Sequence, residues 1–144
     1  KTEPTLALDI VKEINKRMPD LHMVMHGSSS VPKELVDIVN KYGGNMPNAK
    51  GVPMSQIQSV IPYGVRKVNI DSDGRIAITG AIRKVFVETP EKFDPRDYLK
   101  PAREALAELV ARKMRDLGTA GSAGQFEPLS LEDMKNFYRE KGWI

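Results

Sequence analysis

The chain has 144 residues, of which 40% are hydrophobic and 28% charged, and its formal net charge is +3. This composition is typical of a soluble globular domain, and basic residues interspersed with acidic ones give no reason to expect a nucleic-acid partner. The sequence contains no cysteine and no apolar run of about 18 residues, so we expect no disulfide, no thiolate metal cluster, no membrane span and a cytoplasmic location.

The first part of the chain predicts a helix, a strand and a second helix. Residues 5–18 repeat apolar side chains at helical spacing, which indicates an amphipathic helix. Residues 21–26 form a short apolar run, long enough for a buried strand, that ends in a small polar segment at 26–30. Pro32 then opens a helix predicted to reach about Lys41.

The second part repeats the order of strand and helix. Residues 53–61 predict a short helix, and residues 65–70 predict the second strand. Asp71, Ser72 and Asp73 offer caps for a helix that runs to about Glu88.

A helical extension is predicted at about 94–144. A long helix opens at Asp94-Pro95 and ends near Gly118, before a segment rich in Gly, Ala and Ser. The last helix begins after Ser130, and Asp133 takes the place of Glu or Gln in a capping box.

The two strand–helix units predict an α/β fold with a parallel sheet. Two strands alone cannot form a parallel sheet with both faces covered, so the sequence implies partner strands that it does not contain. We therefore expect further chain upstream.

Small polar residues come after both predicted strands. Gly27 and Ser29 come after the first strand, while Asn69 lies at the end of the second strand and Asp71 and Ser72 come after it. Exposed amide groups at the start of a helix attract phosphate, and strand ends in barrels often hold one. The same residues would equally serve as helix caps, and the pattern leaves both interpretations open.

The sequence has two histidines, His22 and His26. His26 ends its strand, where a neutral imidazole could bind a metal ion, but a lone histidine is more often structural or at the surface. His22 would lie about 13 Å away along the strand, too far to share that metal, and is expected to be structural or solvent-facing.

Five segments give the sequence a specific resemblance. They are residues 26–32 (HGSSSVP), 63–73 (YGVRKVNIDSD), 78–84 (ITGAIRK), 93–96 (FDPR) and 118–121 (GTAG). In this order they resemble class II, zinc-dependent fructose-1,6-bisphosphate aldolase, in the subgroup that includes Calvin-cycle enzymes.

The resemblance implies a TIM (βα)8 barrel of which this chain supplies the last two βα units and the C-terminal helices. His26 matches a zinc ligand, while the other zinc histidines and the catalytic acidic residues are expected upstream. The isolated chain should therefore be inactive. The backbone near Gly27 and Ser29 also matches a monovalent-cation site, for Na⁺ or K⁺.

The resemblance also implies which residues bind the sugar bisphosphate substrate. Gly27 and Ser29 match phosphate-binding positions, and Asn69, Asp71 and Ser72 match substrate positions, with Asp71 accepting a hydrogen bond from a substrate hydroxyl. Arg96 matches an arginine that reaches the phosphate in a neighbouring subunit, which implies at least a dimer. A tagatose-bisphosphate aldolase and a non-catalytic phosphate-binding or assembly fragment remain the alternatives.

Overall fold

The computed structural model describes residues 4–144, which contain six α-helices and two short strands. In chain order these elements are α1 (Leu8–Arg17), β1 (Met23–Met25), α2 (Lys33–Lys41), α3 (Met54–Val60), β2 (Val65–Val68), α4 (Ser72–Glu88), α5 (Pro95–Asp116) and α6 (Leu131–Glu140). Short 3-10 turns lie at Ile61–Tyr63 and Ala123–Gln125. The predicted order of helices and strands is confirmed. Over the described residues, no helix is long and apolar enough to cross a membrane.

The two strands pair in parallel. Met23 lies opposite Val65 and Met25 opposite Val68, and the amide of Asn69 donates to the carbonyl of Met25 at 3.0 Å. Both strands are shorter than predicted, because in the described chain each has a neighbour on one side only and the ladder ends where the loops diverge. Parallel pairing brings the carboxyl ends of β1 and β2 to the same edge.

The core lies between the helices that come after the strands. Val36 and Val39 on α2 pack against Ile76 on α4, and all three side chains are buried. α4 also packs along α5. A side chain at Gly80 would place its Cβ 3.1 Å from the Ile38 side chain, so this glycine permits the close contact between α2 and α4.

One face of the sheet is uncovered. Val24, the middle residue of β1, is 51% exposed, and Leu21 before the strand is also exposed. A strand of a complete parallel sheet is normally covered on both faces. The uncovered face is consistent with the expectation of partner strands from elsewhere.

Two helix starts have side-chain caps, of which the sequence predicts the one at Ser130. The Ser130 hydroxyl accepts from the Asp133 amide at 3.1 Å, and the Asp133 carboxylate accepts from the Ser130 amide at 3.2 Å, which completes the capping box of α6. At α5 the Asp94 carboxylate accepts from the Arg96 amide at 2.9 Å.

Candidate functional site

His26 and Asn69 meet at the carboxyl ends of the two strands. Each residue comes directly after the last residue of its strand, and the Asn69 side-chain amide lies 3.1 Å from Nδ1 and 3.3 Å from Nε2 of the imidazole. His26 is exposed and Asn69 half-buried. The structure thus brings one candidate metal ligand and one candidate substrate ligand into direct contact.

The segment after β1 is held in a defined conformation. Gly27 has φ +66°, the left-handed region that favours glycine, and turns the chain away from His26. The Ser29 carbonyl accepts from the Val52 amide at 3.0 Å. Residues 28–31 form the segment that we call the β1 loop.

The predicted capping role is absent at both strand ends. α2 begins after Pro32 and α4 after Asp71, and neither helix start has a side-chain cap hydrogen bond. Asp71 instead pairs with Arg75 at 2.8 Å on the surface. Ser72, the first residue of α4, is exposed. The polar residues at the two strand ends are therefore not explained as side-chain helix caps.

Asp73, which the sequence suggested only as a cap, is instead a buried partner of the β1 loop. Its carboxylate accepts from the Val31 amide at 2.8 Å, the Ser30 hydroxyl at 2.8 Å and the Ser30 amide at 3.2 Å. The Lys113 ammonium lies 2.9 Å from the same carboxylate and also donates to the Ser30 hydroxyl. We call these four residues, Ser30, Val31, Asp73 and Lys113, the Asp73 cluster.

The cluster favours an ionised Asp73. Burial alone would raise the pKa of Asp73, but the hydrogen bonds from Lys113, Val31 and Ser30, together with the charge of Lys113, outweigh it and lower the pKa below its ordinary value of 3.8. A buried carboxylate that accepts several hydrogen bonds and faces a cation is satisfied in its charged form.

A sequence signal for Lys113 exists. Ala102 and Leu109 are buried on α5, and Lys113 lies four residues beyond Leu109 on the same helical face. A lysine in line with an apolar face must either reach solvent or find a buried acceptor. Asp73 has no comparable signal, because an acid in the first turn of a helix is common for electrostatic reasons alone.

Arg96 is the second residue of α5. Its guanidinium binds the Asp94 carboxylate, with Nε 3.0 Å from both carboxylate oxygens. This hydrogen bond lowers the pKa of Asp94 and raises that of Arg96. The Arg96 side chain is 90% exposed, and the carboxylate that it binds belongs to the cap of its own helix.

No group of three or more His, Asp or Glu side chains within residues 4–144 is arranged to hold a metal ion. The role of His26 as a metal ligand stays a prediction. His22 is exposed, which agrees with the solvent-facing alternative predicted for it.

Comparison with known proteins identifies relatives of the whole site region. The family model described as fructose-bisphosphate aldolase class-II matches residues 1–122. A fructose-bisphosphate aldolase of Giardia intestinalis is 55% identical over 134 residues, which cover 93% of this chain and 41% of that protein. Fructose-bisphosphate aldolase 2 of Cereibacter sphaeroides is 49% identical over 92% of this chain and 38% of its own length. A fructose-bisphosphate aldolase of Pseudomonas aeruginosa is 47% identical over 95% of this chain and 39% of its own length.

The chain thus spans about two fifths of the length of these curated relatives. Both strand-end segments lie inside the matched region, whereas α6 lies beyond the family model.

Proposed function

The chain belongs to the class-II fructose-bisphosphate aldolase family, and we propose that it is the C-terminal part of a lyase that cleaves fructose 1,6-bisphosphate. The products are dihydroxyacetone phosphate and glyceraldehyde 3-phosphate, and the reaction is reversible, as in glycolysis and gluconeogenesis. The observation that carries the proposal is the family match over residues 1–122, which includes both strand ends. A cytoplasmic location and a homo-oligomer of at least two subunits belong to the same proposal.

The proposed fold is a (βα)8 barrel in which β1 and β2 are the last two strands. Their parallel pairing and the helix after each strand support this proposal. The exposure of Val24 on β1 supports it further, since the upstream strands of a barrel would cover this face. The N-terminal remainder of the barrel is then the first partner of this chain.

Zinc is the proposed metal, and His26 is its proposed ligand from this chain. An exposed imidazole at the carboxyl end of a barrel strand fits that role, because catalytic groups of barrels lie at this end. The remaining ligands would come from upstream strands. When bound, zinc supplies a Lewis acid for the charge that develops on the substrate carbonyl oxygen.

The residues of this chain would hold and orient the bisphosphate. A phosphate or its neighbouring oxygens would be contacted from both strand ends, by Gly27 and Ser29 after β1 and by Asn69 and Ser72 after β2. Asp71 would accept a hydrogen bond from a substrate hydroxyl. The absence of side-chain cap hydrogen bonds at the starts of α2 and α4 supports this role, because capping was the competing interpretation. Binding the phosphates lends free energy to orienting the reacting bond.

Two further contacts complete the proposal. A monovalent cation, Na⁺ or K⁺, would bind backbone carbonyls near Gly27 and Ser29; the Ser29 carbonyl accepts one amide hydrogen bond and retains a second lone pair. Arg96 would bind phosphate in the site of a neighbouring subunit, for which its bidentate guanidinium is suited. The groups that transfer protons are expected upstream, so this chain contributes no catalytic acid or base.

The full-length protein and the 144-residue chain should be assayed side by side. We expect the full-length, zinc-loaded protein to cleave fructose 1,6-bisphosphate and the isolated chain to be inactive, since it lacks the proton-transfer groups and most of the strands. If the protein prefers tagatose 1,6-bisphosphate, that sugar would replace fructose 1,6-bisphosphate as the proposed substrate. No cleavage of either sugar by the zinc-loaded protein would favour the phosphate-binding or assembly module.

A further inference from the structure

The Asp73 cluster joins three separate parts of the chain in the interior. Asp73 belongs to the first turn of α4, Ser30 and Val31 belong to the β1 loop, and Lys113 belongs to the last turn of α5. Asp73 is 0% exposed and the Lys113 side chain is 9% exposed, so water does not compete strongly for these hydrogen bonds.

The cluster lies directly behind the residues proposed to bind phosphate. Asp73 comes next after Ser72 in the chain, and its hydrogen-bonding partners Ser30 and Val31 come next after Ser29. One carboxylate therefore ties the strand-end segment of β1 to that of β2. A displacement of Asp73 would change the distance between Ser29 and Ser72, which lie on the two segments.

The backbone of the β1 loop requires such support. Val31 has φ +45°, the left-handed region that a β-branched residue rarely adopts. A strained residue of this kind persists only when its surroundings hold it in place. The hydrogen bond of 2.8 Å from the Val31 amide to Asp73 is such a restraint.

Only an ionised carboxylate can accept all of these donors. The two amides, the Ser30 hydroxyl and the Lys113 ammonium are four donor groups directed at Asp73. A carboxylate has two oxygens with about four acceptor sites, whereas an asparagine has one acceptor oxygen and presents an NH₂ donor in place of the other. Asp73→Asn would leave some of the donors in this buried site without an acceptor.

We propose that Asp73 and Lys113 are positioning residues, which fix the β1 loop against α4 so that Ser29 and Ser72 can bind the same phosphate. This inference rests on the proposed function, because it assumes that the two strand ends bind phosphate. Neither residue is assigned contact with the substrate. Their effect passes through the geometry of the loop.

The test measures phosphate binding in the full-length, zinc-loaded protein. Inorganic phosphate is titrated calorimetrically into wild type and Asp73→Asn, and cleavage kinetics are measured on the same samples. We expect the Kd for phosphate and the KM for the bisphosphate to rise about ten- to a hundredfold, because small displacements of binding groups are costly. Zinc content should stay at the wild-type level, and kcat should change much less than KM.

The control is Asp37→Asn on α2. Asp37 forms an exposed pair with Lys33 shortly after the same loop, so its removal tests a nearby charge that holds no loop backbone. We expect this variant to bind phosphate with the wild-type Kd. If Asp73→Asn does not fold, Ser30→Ala decides the question, since it removes only the hydroxyl that bridges Asp73 and Lys113. It should still raise the Kd for phosphate several-fold.

The outcomes separate the two proposals. A folded Asp73→Asn protein with the wild-type Kd for phosphate would overturn the positioning role, as would an unchanged Kd in Ser30→Ala if that variant has to decide. A wild-type protein that binds phosphate but cleaves no sugar bisphosphate would contradict the proposed function alone. The calorimetric comparison would still test the positioning role in that case.

Discussion

His26 is the metal-ligand candidate of this chain, and His22 is its matched control four residues earlier. In the zinc-loaded full-length protein, we expect His26→Ala to weaken zinc binding by more than about a hundredfold, since even changes to residues behind a metal ligand cost ten- to a hundredfold. Cleavage activity should fall with the metal content. Metal analysis after dialysis against a weak chelator measures the first effect.

The His22→Ala variant should keep both its zinc and its activity, because the His22 side chain is exposed and the ring nitrogens of His26 contact Asn69, not His22. Full zinc occupancy in His26→Ala would contradict the ligand assignment. Equal losses in both variants would indicate that the strand, rather than the imidazole, had been disturbed.

At the level of elements, the sequence predicts which segments form helices and strands and where a helix comes after a strand. The capping box at Ser130 is readable because all its parts are local in sequence. The role of Asp73 cannot be predicted in this way. An acidic residue that caps a helix and one that accepts buried hydrogen bonds have the same local sequence, and the partner Ser30 lies 43 residues earlier. The bonds of Asp73 depend on the packing of α4 and α5, which residue spacing alone does not specify.

The β1 loop packs against Gly51 too closely for any side chain. A Cβ at position 51 would lie 2.3 Å from the Ser29 carbonyl oxygen and 2.4 Å from the Ser30 carbonyl carbon. We expect Gly51→Ala to displace the loop, to destabilise the protein by about 1–3 kcal/mol and to raise the KM for the bisphosphate. Thermal unfolding and steady-state kinetics of the full-length protein measure the two effects. Gly124→Ala, where an added Cβ meets nothing within 4 Å, should change neither.

Asp73 also couples stability to pH. Its pKa is lowered in the folded protein from the ordinary value of 3.8, so its stabilising contribution is complete above the unfolded-state pKa and is lost as the pH falls through the folded-state pKa. Asp73→Asn should cost about 3–5 kcal/mol near pH 7, because it breaks a buried pair.

The urea midpoints of wild type and Asp73→Asn, measured without metal so that zinc release does not contribute, should therefore converge below about pH 4. Asp37→Asn should remain close to wild type throughout, since exposed pairs contribute little. A constant difference between Asp73→Asn and wild type from about pH 7 to about pH 3 would contradict the role of this carboxylate in the acid limb.

At the scale of the whole molecule, the sequence predicts that further strands pair with β1 and β2, but it does not predict how those strands are arranged. Two parallel strands with an exposed Val24 fit the prediction of further strands, and the relatives are about two and a half times as long as the matched segment. The total number of strands, the other proposed zinc ligands and the proposed subunit contacts would depend on the proposed upstream chain. Their description as a barrel comes from the family, because two strands fit several parallel sheets equally well.

Arg96 tests the proposed assembly. Its side chain is exposed and held by Asp94 in the isolated chain, a surface pair that a bound phosphate could replace with a stronger bidentate contact. Arg96→Ala and His26→Ala proteins should each be nearly inactive. If Arg96 serves the neighbouring subunit, a mixed dimer has one site with both residues intact and one site with neither. Random reassembly of equal amounts should then restore about a quarter of the wild-type activity, since half of the dimers are mixed and each has one complete site. If Arg96 serves its own subunit, every site in the mixture keeps one defect, and activity after reassembly should stay at the level of the separate variants.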